Sequence, residues 1–319
     1  MKRMKYLSIL IFFIFFSCTN EKSISVGFLL PNLTDGRYPK DKSSFTERIK
    51  ELGGSVEVGD AKNDPNFQEE QAKEMIKKGI KVLVISAVNQ NTAASIVRDA
   101  HDKGVKVIAY ERLIRNCDLD YFVSFDHYVV GKQQAGYAIN KKGTGNYVLL
   151  GGDKGDRNAE MIHNGMLEIL SPKIKSGEIK ILYNIYVENW DKENAYMEMK
   201  KVLDLSGERV DAVLAANDGM AAGVIKALDE YHIANRSIIT TGLDADADAC
   251  KRIMEGKQSM TVYKPFKKEA QIAAELAIRQ ARGEDDKKNL QETWNGKVKV
   301  PTILLQSVVV DSTNINVVQ

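Results

Sequence analysis

The chain has 319 residues, 44% of them hydrophobic, which is enough to build two lobes with separate cores. It carries 45 Lys and Arg against 43 Asp and Glu, a net charge of +2, and without the three basic residues among its first five positions the balance is −1. This composition excludes a disordered or fibrous chain, and it lacks the basic excess that nucleic-acid binding requires.

The N-terminal segment predicts export from the cytoplasm. Residues 1–5 carry three basic side chains, and residues 6–16 are apolar apart from one serine, a run too short to cross a bilayer but of the length of a secretory signal. Cys18 follows a small residue directly after this run, which resembles the lipobox of bacterial lipoproteins. We therefore expect a signal peptide over 1–17 and a lipidated tether over 18–23 with the lipid on Cys18. The alternative is an ordinary signal peptide that is cleaved elsewhere.

Strands and helices alternate through the first part of the chain. Short runs rich in β-branched and aromatic residues predict buried parallel strands, and apolar residues at helical spacing predict the helices between them. The predicted strands cover 24–30, 55–59, 81–86, 105–109 and 121–125, and the predicted helices cover 41–52, 66–78 and 90–103.

The same alternation restarts after Asp126, which indicates a second lobe and not a continuation of the first sheet. The predicted helices of this lobe cover 129–140, 158–170, 193–205, 220–231 and 245–255, and its predicted strands cover 146–151, 180–187, 212–216, 237–243 and 260–262.

The last part of the chain is expected to return to the first lobe. Pro265 breaks the pattern, a helix is predicted over 266–282, and strands over 298–305 and 307–310 would close the fold where the lobes meet. The predicted fold class is α/β, with two doubly wound parallel-sheet lobes joined by a three-crossing hinge.

The boundaries follow from these crossings, which are expected near Asp126, Lys264 and Leu305. We expect the first lobe to comprise residues 24–126 plus 266–304, and the second to comprise residues 127–264 plus 305–319.

The common catalytic, metal and cofactor motifs are missing from the sequence. Gly143-Thr144-Gly145 precedes a predicted strand, whereas a phosphate-binding glycine loop must follow one and open a helix. The four histidines are scattered, and no HExxH, CxxC or GxSxG pattern occurs. We therefore expect no catalytic residue, no metal and no cofactor, and we expect Cys117 and Cys250 to be free thiols.

Polar and aromatic residues follow the carboxyl ends of the predicted strands, where open α/β sheets bind their ligands. Each of these residues also has an ordinary structural role as an alternative. Asn217 or Asp218 could cap the next helix, with Asp218 the better candidate, and Asp244 could cap another. Asp156 and Asn158 could belong to a turn, and Trp190 could anchor a loop. Arg112 could be a solvated cation. Taken together, the set offers planar hydrogen-bonding groups and aromatic faces, which suit the hydroxyls and C–H faces of a pyranose.

The charges of this set indicate the class of ligand. Three are positive (Arg37, Arg112, Lys264) and three are negative (Glu111, Asp156, Asp244). Because buried charges must be paired, the pocket would balance without its ligand, and an anionic ligand would require an excess of cations. A neutral polyol is favoured.

Seven segments together resemble the periplasmic sugar-binding proteins of the type I fold, most closely the D-xylose-binding members that serve bacterial ABC transporters. The segments are GRYPKD, KVLVIS, KVIAYERLI, YFVSFD, AAND, GLDADA and MTVYKP. The resemblance implies that Trp190 and Tyr38 sandwich the sugar ring. It also implies hydrogen bonds to the sugar from Arg37, Arg112, Asp156, Asn158, Asn217, Asp244 and Lys264.

Three positions depart from the family pattern. Glu111 stands in place of an aspartate and Tyr38 in place of a tryptophan, both against the ligand, which leaves D-xylose or a related aldopentose as the expected sugar. His127 is also different, and the sequence assigns it no role.

The resemblance implies a non-catalytic, monomeric, periplasmic lipoprotein that closes around a monosaccharide and delivers it to an ABC permease. There are three alternative functions. The protein could be a co-receptor that reports closure to a sensor kinase or chemoreceptor, an enzyme that uses Glu111 with Asp126 or Asp244, or a transcription regulator. The last would need a DNA-binding headpiece where the leader stands.

Overall fold

The computed structural model describes residues 24–34, 37–207, 209–234, 237–284, 287 and 290–318. The predicted signal peptide, Cys18 and the tether lie outside the described residues. In the first part of the chain the elements are β1 (Ser25–Leu30), α1 (Tyr38–Glu51), β2 (Ser55–Asp60), α2 (Pro65–Lys77), β3 (Val82–Ile85), α3 (Ala94–His101), β4 (Lys106–Tyr110) and β5 (Tyr121–Phe125).

The alternation continues without interruption into the second part of the chain. The elements there are α4 (His127–Lys141), β6 (Gly145–Gly151), α5 (Arg157–Lys175), β7 (Ile179–Tyr186), α6 (Lys192–Ser206), β8 (Ala212–Ala215), α7 (Asp218–Glu230), β9 (Ile239–Thr240), α8 (Ala247–Met254), β10 (Thr261–Tyr263), α9 (Phe266–Ala281), β11 (Gln291–Trp294), β12 (Lys299–Leu305) and β13 (Val308–Val310). Among these described helices, none combines the length and apolar composition that a membrane crossing would require.

The strands form two main sheets. The first has the order β11-β12-β5-β4-β3-β1-β2, and the second has the order β7-β6-β8-β9. All neighbours in both sheets are parallel except β11 and β12. A small antiparallel pair, β10 with β13, borders the second sheet through a bridge between Leu243 and Val262. The carboxyl ends of the parallel strands therefore gather at one edge of each sheet.

The chain passes between the two sheets three times, between β5 and α4, between β10 and α9, and between β12 and β13. Helix α9 packs against α1 and against β3, β4 and β5, so it returns to the first sheet as the sequence predicted. The predicted fold class, two doubly wound α/β lobes with three crossings, is confirmed.

Several predicted elements need correction. Strand β11 was missed, because its sequence QETW is short, largely exposed and without strand-like alternation. Helix α1 begins at Tyr38 and not at 41, since Pro39 is compatible with a first helical turn. Helix α3 begins at Ala94 and not at 90, because Asn89 Oδ1 accepts from the amides of Asn91 and Thr92 and forms a turn there.

The central strands are buried on both faces, because helices cover each side of each sheet. Strands β3, β5 and β8 are buried along their whole length. Two apolar cores lie on the two faces of the first sheet, and a third surrounds the second sheet. The thiols Cys117 and Cys250 are free.

Two glycines set the distance between α4 and α5, the helices whose first turns border the cavity described below. A Cβ at Gly131 would overlap the carbonyl oxygen of Ile162, and a Cβ at Gly165 would overlap that of Tyr128. The two backbones therefore meet without intervening side chains, which fixes α5 relative to α4.

We expect Gly165→Ala to lower the free energy of unfolding by at least about 2 kcal/mol, because the added methyl must push a backbone carbonyl aside. Gly136→Ala is the matched control in α4, since a Cβ there meets nothing within 4 Å. This control should gain about 0.5 to 1 kcal/mol from helix propensity. Urea denaturation measures both, and equal stability of the two variants would contradict the close contact.

Candidate functional site

A polar cavity of about 390 Å³ lies between the two sheets, at the carboxyl ends of their strands. All ten residues that the sequence singled out line it: Arg37, Tyr38, Glu111, Arg112, Asp156, Asn158, Trp190, Asn217, Asp244 and Lys264. The sequence missed six further lining residues: His127, Ile162, Asn189, Gly219, Leu243 and Asp246. Strand ends far apart in the chain are thus brought to a single space.

Arg37 is the most strongly held side chain of the cavity. Its guanidinium donates from Nε to Asp41 Oδ2 at 2.9 Å and from Nη2 to Glu269 Oε2 at 2.6 Å, and both carboxylates are fully buried. The guanidinium carbon also lies 4.4 Å from the centre of the Phe266 ring. Because α1 supplies Asp41 and α9 supplies Glu269, this cluster joins the returning helix to the start of the first lobe.

Glu111 lies between the cations of the cavity. Its carboxylate is 3.6 Å from Arg37 Nη1 and 3.4 Å from Arg112 Nε. Burial alone would raise the pKa of Glu111, but the attraction of Arg37, Lys264 and Arg112 outweighs it and lowers the pKa to about 2. Glu111 is therefore ionised at neutral pH.

Two hydrogen bonds connect residues that follow strands of different sheets. Asn158 Nδ2, after β6, donates to Glu111 Oε1, after β4, at 3.1 Å, and this bond is buried. Gln90 Nε2, after β3, donates to Asp156 Oδ1 at 3.2 Å. The two lobes thus contact each other directly at the cavity.

The capping roles at α7 are the reverse of those expected. Asn217, and not Asp218, caps the helix, with Oδ1 accepting from the Met220 amide at 2.9 Å. The amide nitrogen of Asn217 stays available on the side of the cavity. Asp156 is an N-cap as well as a lining residue, since Oδ1 accepts from the Asn158 amide at 2.8 Å. Capping and lining are therefore compatible, although the sequence presented them as alternatives.

Asp218 is buried behind the cavity and holds the loop that presents Asp244. It accepts from Gln258 Nε2 at 2.7 Å, from Thr261 Oγ1 at 3.0 Å and from the Asp246 amide at 3.0 Å. Gly242 permits this arrangement, because a Cβ there would overlap Asp218 Oδ1. Burial, followed by repulsion from Asp244, raises the pKa of Asp218 to about 8.

Asp244 and Lys264 form an ion pair at the second sheet. Lys264 Nζ lies 3.0 Å from Asp244 Oδ1, and only 4% of the lysine side chain is exposed. The expected helix-capping alternative for Asp244 is wrong, since α8 begins after Asp246 and no side chain caps it. Asp244 Oδ1, which faces Lys264, and Glu111 Oε2, which faces Arg112, are both buried.

The two aromatic side chains enter from opposite lobes. Tyr38 is buried in the first turn of α1, and burial raises the pKa of its hydroxyl to about 12, so it stays protonated. Trp190 lies in the loop after β7, with its indole ring against Gly152, where a Cβ would overlap it. Trp190 is therefore both a loop anchor and part of the cavity wall.

Four lining residues have left-handed backbone conformations that non-glycine residues rarely adopt. The φ angles are 64° at Glu111, 56° at Asn189, 56° at Trp190 and 98° at Asp244. Such conformations persist where surrounding contacts hold them, and they cluster at functional sites. At Glu111 those contacts include a bond from Ser124 Oγ to its carbonyl at 2.9 Å.

His127, which the sequence left without a role, is buried at the start of α4. Its Nε2 lies 3.8 Å from Glu111 Oε1. Burial and the charge of Lys264 lower its pKa to about 3, so the imidazole is neutral at physiological pH and adds no cation to the cavity. The signal that could have pointed to His127 is its position directly after β5, one residue beyond the N-cap Asp126.

The structure changes the charge count obtained from the sequence. Asp246 adds a fourth carboxylate to the lining, and Asp41 and Glu269 lie behind Arg37. Burial raises the pKa of Glu269 to about 8, so this carboxyl binds a proton at neutral pH. The cavity therefore has no excess of cations. Among the described residues, no cluster of His, Cys, Asp and Glu is arranged to bind a metal ion.

Two doubly wound α/β lobes that meet at a polar cavity define the class of two-lobed solute-binding folds. Residues 26–285 match the family model described as a periplasmic binding protein domain, and the chain belongs to this family. The confirmed family agrees with the resemblance seen in the sequence.

Three known proteins illustrate the similarity. The D-xylose-binding periplasmic protein of Haemophilus influenzae is 39% identical over 95% of this chain and 91% of its own, and that of Escherichia coli is 36% identical over 93% and 89%. A solved ABC transporter solute-binding protein of Clostridium phytofermentans with bound β-D-glucose aligns with a TM-score of 0.84. It is 31% identical, and the alignment covers 91% of this chain and 94% of that one.

The raised pKa values of Asp218 and Glu269 give a pH dependence of stability. An acid whose pKa is raised on folding retains its proton where the unfolded chain has lost it, so stability falls as the pH rises toward about 8 and then levels off. In the folded protein His127 and Glu111 have lowered pKa values of about 3 and about 2, so both keep the same charge above pH 6.5. Neither group therefore adds to the fall in stability.

We expect the free energy of unfolding to fall between pH 6.5 and 8, by up to about 2 kcal/mol for each of the two acids. Asp218→Asn and Glu269→Gln should each remove the part of this pH dependence that the substituted acid contributes. Denaturant titrations across the interval measure it, and a wild-type stability that is constant over this range would contradict the buried, protonated acids.

Proposed function

We propose that the protein binds a neutral monosaccharide, D-xylose or a related aldopentose, in the cavity between its lobes. The observation that carries the proposal is the convergence of all ten strand-end residues on one space of about 390 Å³. This volume is at the small end of the range for ligand pockets and suits a single sugar ring. The relatives named for D-xylose support the choice of a pentose.

The hydrogen-bonding roles follow from the groups that stay available. Arg112, the amide nitrogen of Asn217 and Lys264 would donate to ring or hydroxyl oxygens, and Glu111 and Asp244 would accept from hydroxyls. Arg37, Asp156 and Asn158 would complete the set. Tyr38 and Trp190 would pack against the two faces of the ring.

Closure would follow from contacts that a sugar makes with both lobes at once. We divide the chain into lobes of 24–126 plus 266–304 and 127–264 plus 305–319. Sheet membership supports this division except at Leu305, which pairs with Phe125 of β5. A sugar that contacts both lobes binds the closed form better than the open form, and this difference in affinity drives closure. The bond between Asn158 and Glu111 would add to the closed form.

The closed protein would deliver its sugar to an ABC permease. Support comes from the solved relative described as an ABC transporter solute-binding protein. Export by the leader and lipidation at Cys18 would keep a monomeric protein in the periplasm, tethered to a membrane near its permease. A co-receptor that reports closure to a sensor would use the same cavity, and uptake of sugar by cells with and without the protein separates the two roles.

The structure disfavours a sugar-acting enzyme. A general acid needs a pKa near the working pH, whereas Glu111, with a pKa of about 2, holds no proton to give. Of the two partners suggested for Glu111, Asp126 caps α4 by accepting from the amides of Tyr128 and Val129, and Asp244 is ion-paired with Lys264.

Calorimetric titration with neutral pentoses and hexoses tests the ligand. We expect micromolar or tighter binding of D-xylose or another aldopentose, about 8 kcal/mol or more, with no product formed on incubation. Glucuronate and pentose phosphates should not bind, because the cavity has no excess cation. Preference for an anionic sugar would contradict the proposal.

Two cavity variants test the assigned residues. Arg112→Ala should weaken sugar binding at least about tenfold, or 1.4 kcal/mol. Arg115→Ala removes a cation from the same segment outside the cavity and should leave binding unchanged.

Asn217→Ala should weaken binding by a similar factor. Asn217→Ser keeps an acceptor for the Met220 amide and thus the helix cap, but it removes the amide donor. If serine restores full affinity, Asn217 acts only as a cap and its ligand role is wrong.

Lipidation is tested in cells grown with labelled palmitate. The wild-type protein should carry label and sediment with membranes, and Cys18→Ser should do neither. Cys117→Ser and Cys250→Ser are the controls, since both are free thiols within the folded part and should keep the label. Unlabelled wild-type protein would exclude the anchor.

A further inference from the structure

A second cavity, of about 680 Å³, adjoins the one described above and is here called the outer chamber. Four residues border both spaces: Arg112, Asp156, Asn189 and Trp190. The outer chamber continues between the loops after β2 and β3 on one side and the loops after β6 and β7 on the other. It is therefore an extension of the same interlobe cleft.

Carboxamides dominate the part of the outer chamber that the inner cavity does not share. Asn63, Asn89, Gln90 and Asn91 line it. Asn89 uses Oδ1 for the turn before α3, which leaves its amide nitrogen to donate elsewhere. Carboxamides both donate and accept, as do the hydroxyls of a sugar.

The charged groups of the outer chamber are already matched. Asp153 accepts from the Gly155 amide through Oδ1 and from the Asn189 amide through Oδ2, each at 2.7 Å. Asp156 accepts from Gln90 Nε2, and Arg112 faces Glu111. The lining therefore offers no free cation to an anionic ligand, and it favours a hydroxyl-rich group without negative charge.

Trp190 adds an aromatic surface at the boundary between the two spaces. One face of its indole lies against Gly152, and the ring borders both cavities. Because one face is covered by Gly152, a ring in the inner cavity and a ring in the outer chamber would share the remaining face and the edges of the indole.

We propose that the outer chamber holds a second pentose ring, glycosidically linked to the ring in the inner cavity, so that the protein binds a neutral pentose disaccharide as well as the single sugar. The inference rests on the proposed function, because the inner cavity must hold the first ring. The hydrogen bond between Gln90 and Asp156 borders the route of the linkage, and Gln90 would shift its bond from Asp156 to the second ring.

The probes are D-xylose and xylobiose, titrated calorimetrically into the full chain. We expect xylobiose to bind within about tenfold of the affinity for xylose. Asn91→Trp fills the outer chamber from an exposed position and should weaken xylobiose at least tenfold while leaving xylose unchanged. Asn66→Trp, an exposed asparagine outside the chamber, is the matched control and should change neither affinity.

The possible outcomes distinguish failure of the second-ring proposal from failure of the proposed sugar binding in the inner cavity. Binding of xylose with xylobiose more than a hundredfold weaker overturns the second ring alone. Equal loss of xylobiose in both tryptophan variants, or no loss in Asn91→Trp, also overturns it. If neither sugar binds the wild-type protein, the choice of xylose in the inner cavity fails, and the second ring fails with it.

Discussion

The burial of Arg37 is the interaction on which the cavity depends. A guanidinium that is almost fully removed from water requires compensation: Asp41 of α1 supplies a negative charge, and the buried carboxyl of Glu269 in α9 accepts a hydrogen bond. Helix α9 comes from the part of the chain that has already built the second sheet, so this cluster also fixes where the chain returns. Removing Arg37 or Asp41 would leave an uncompensated charge at the junction of the lobes, which costs far more than a lost surface ion pair, and removing Glu269 would leave an N–H group of Arg37 without its acceptor.

The other charged side chains of the cavity are also arranged in pairs of opposite sign. Glu111 faces Arg37 and Arg112, Asp244 faces Lys264, and the lining supplies carboxylates at least equal in number to the cations. The charges satisfy one another, and among the described lining residues Asn217 uses only its Oδ1, so its amide nitrogen keeps hydrogen-bonding capacity. A neutral polyhydroxyl ligand can use that remaining capacity without disturbing the balance, whereas an added anion or cation would leave one charge without a partner.

The sequence alone predicted the strands and the residues that follow them, because buried parallel strands give continuous apolar runs that end at turn residues. Those endpoints, together with the family resemblance, named the ten lining residues before their geometry was known. Other features depend on tertiary contacts that have no local signal. The short edge strand β11 owes its pairing to β12, and the choice of Asn217 over Asp218 as the helix cap depends on Gln258 and Thr261, which bind Asp218.

The same limit applies to His127, Asn189, Asp246 and Glu269. Each lies beside or behind a residue that the pattern did identify, and only the packing of the two lobes gives it a role. Histidine after a strand could equally be exposed, and Glu269 belongs to a helix face that is elsewhere apolar. Their roles come from these tertiary contacts, which a linear pattern does not contain.

The strained backbone at Glu111, Trp190 and Asp244 connects this electrostatic order to recognition. Each left-handed residue costs about 1 to 3 kcal/mol, and the cost is offset by bonds on either side, such as those from Ser124 to Glu111 and from Thr261 and the Asp246 amide to Asp218. Because these supports lie within single lobes, the carboxylates and the indole are oriented before the lobes come together. A ligand then has few side chains to order, and more of its contact energy is available to hold the lobes closed.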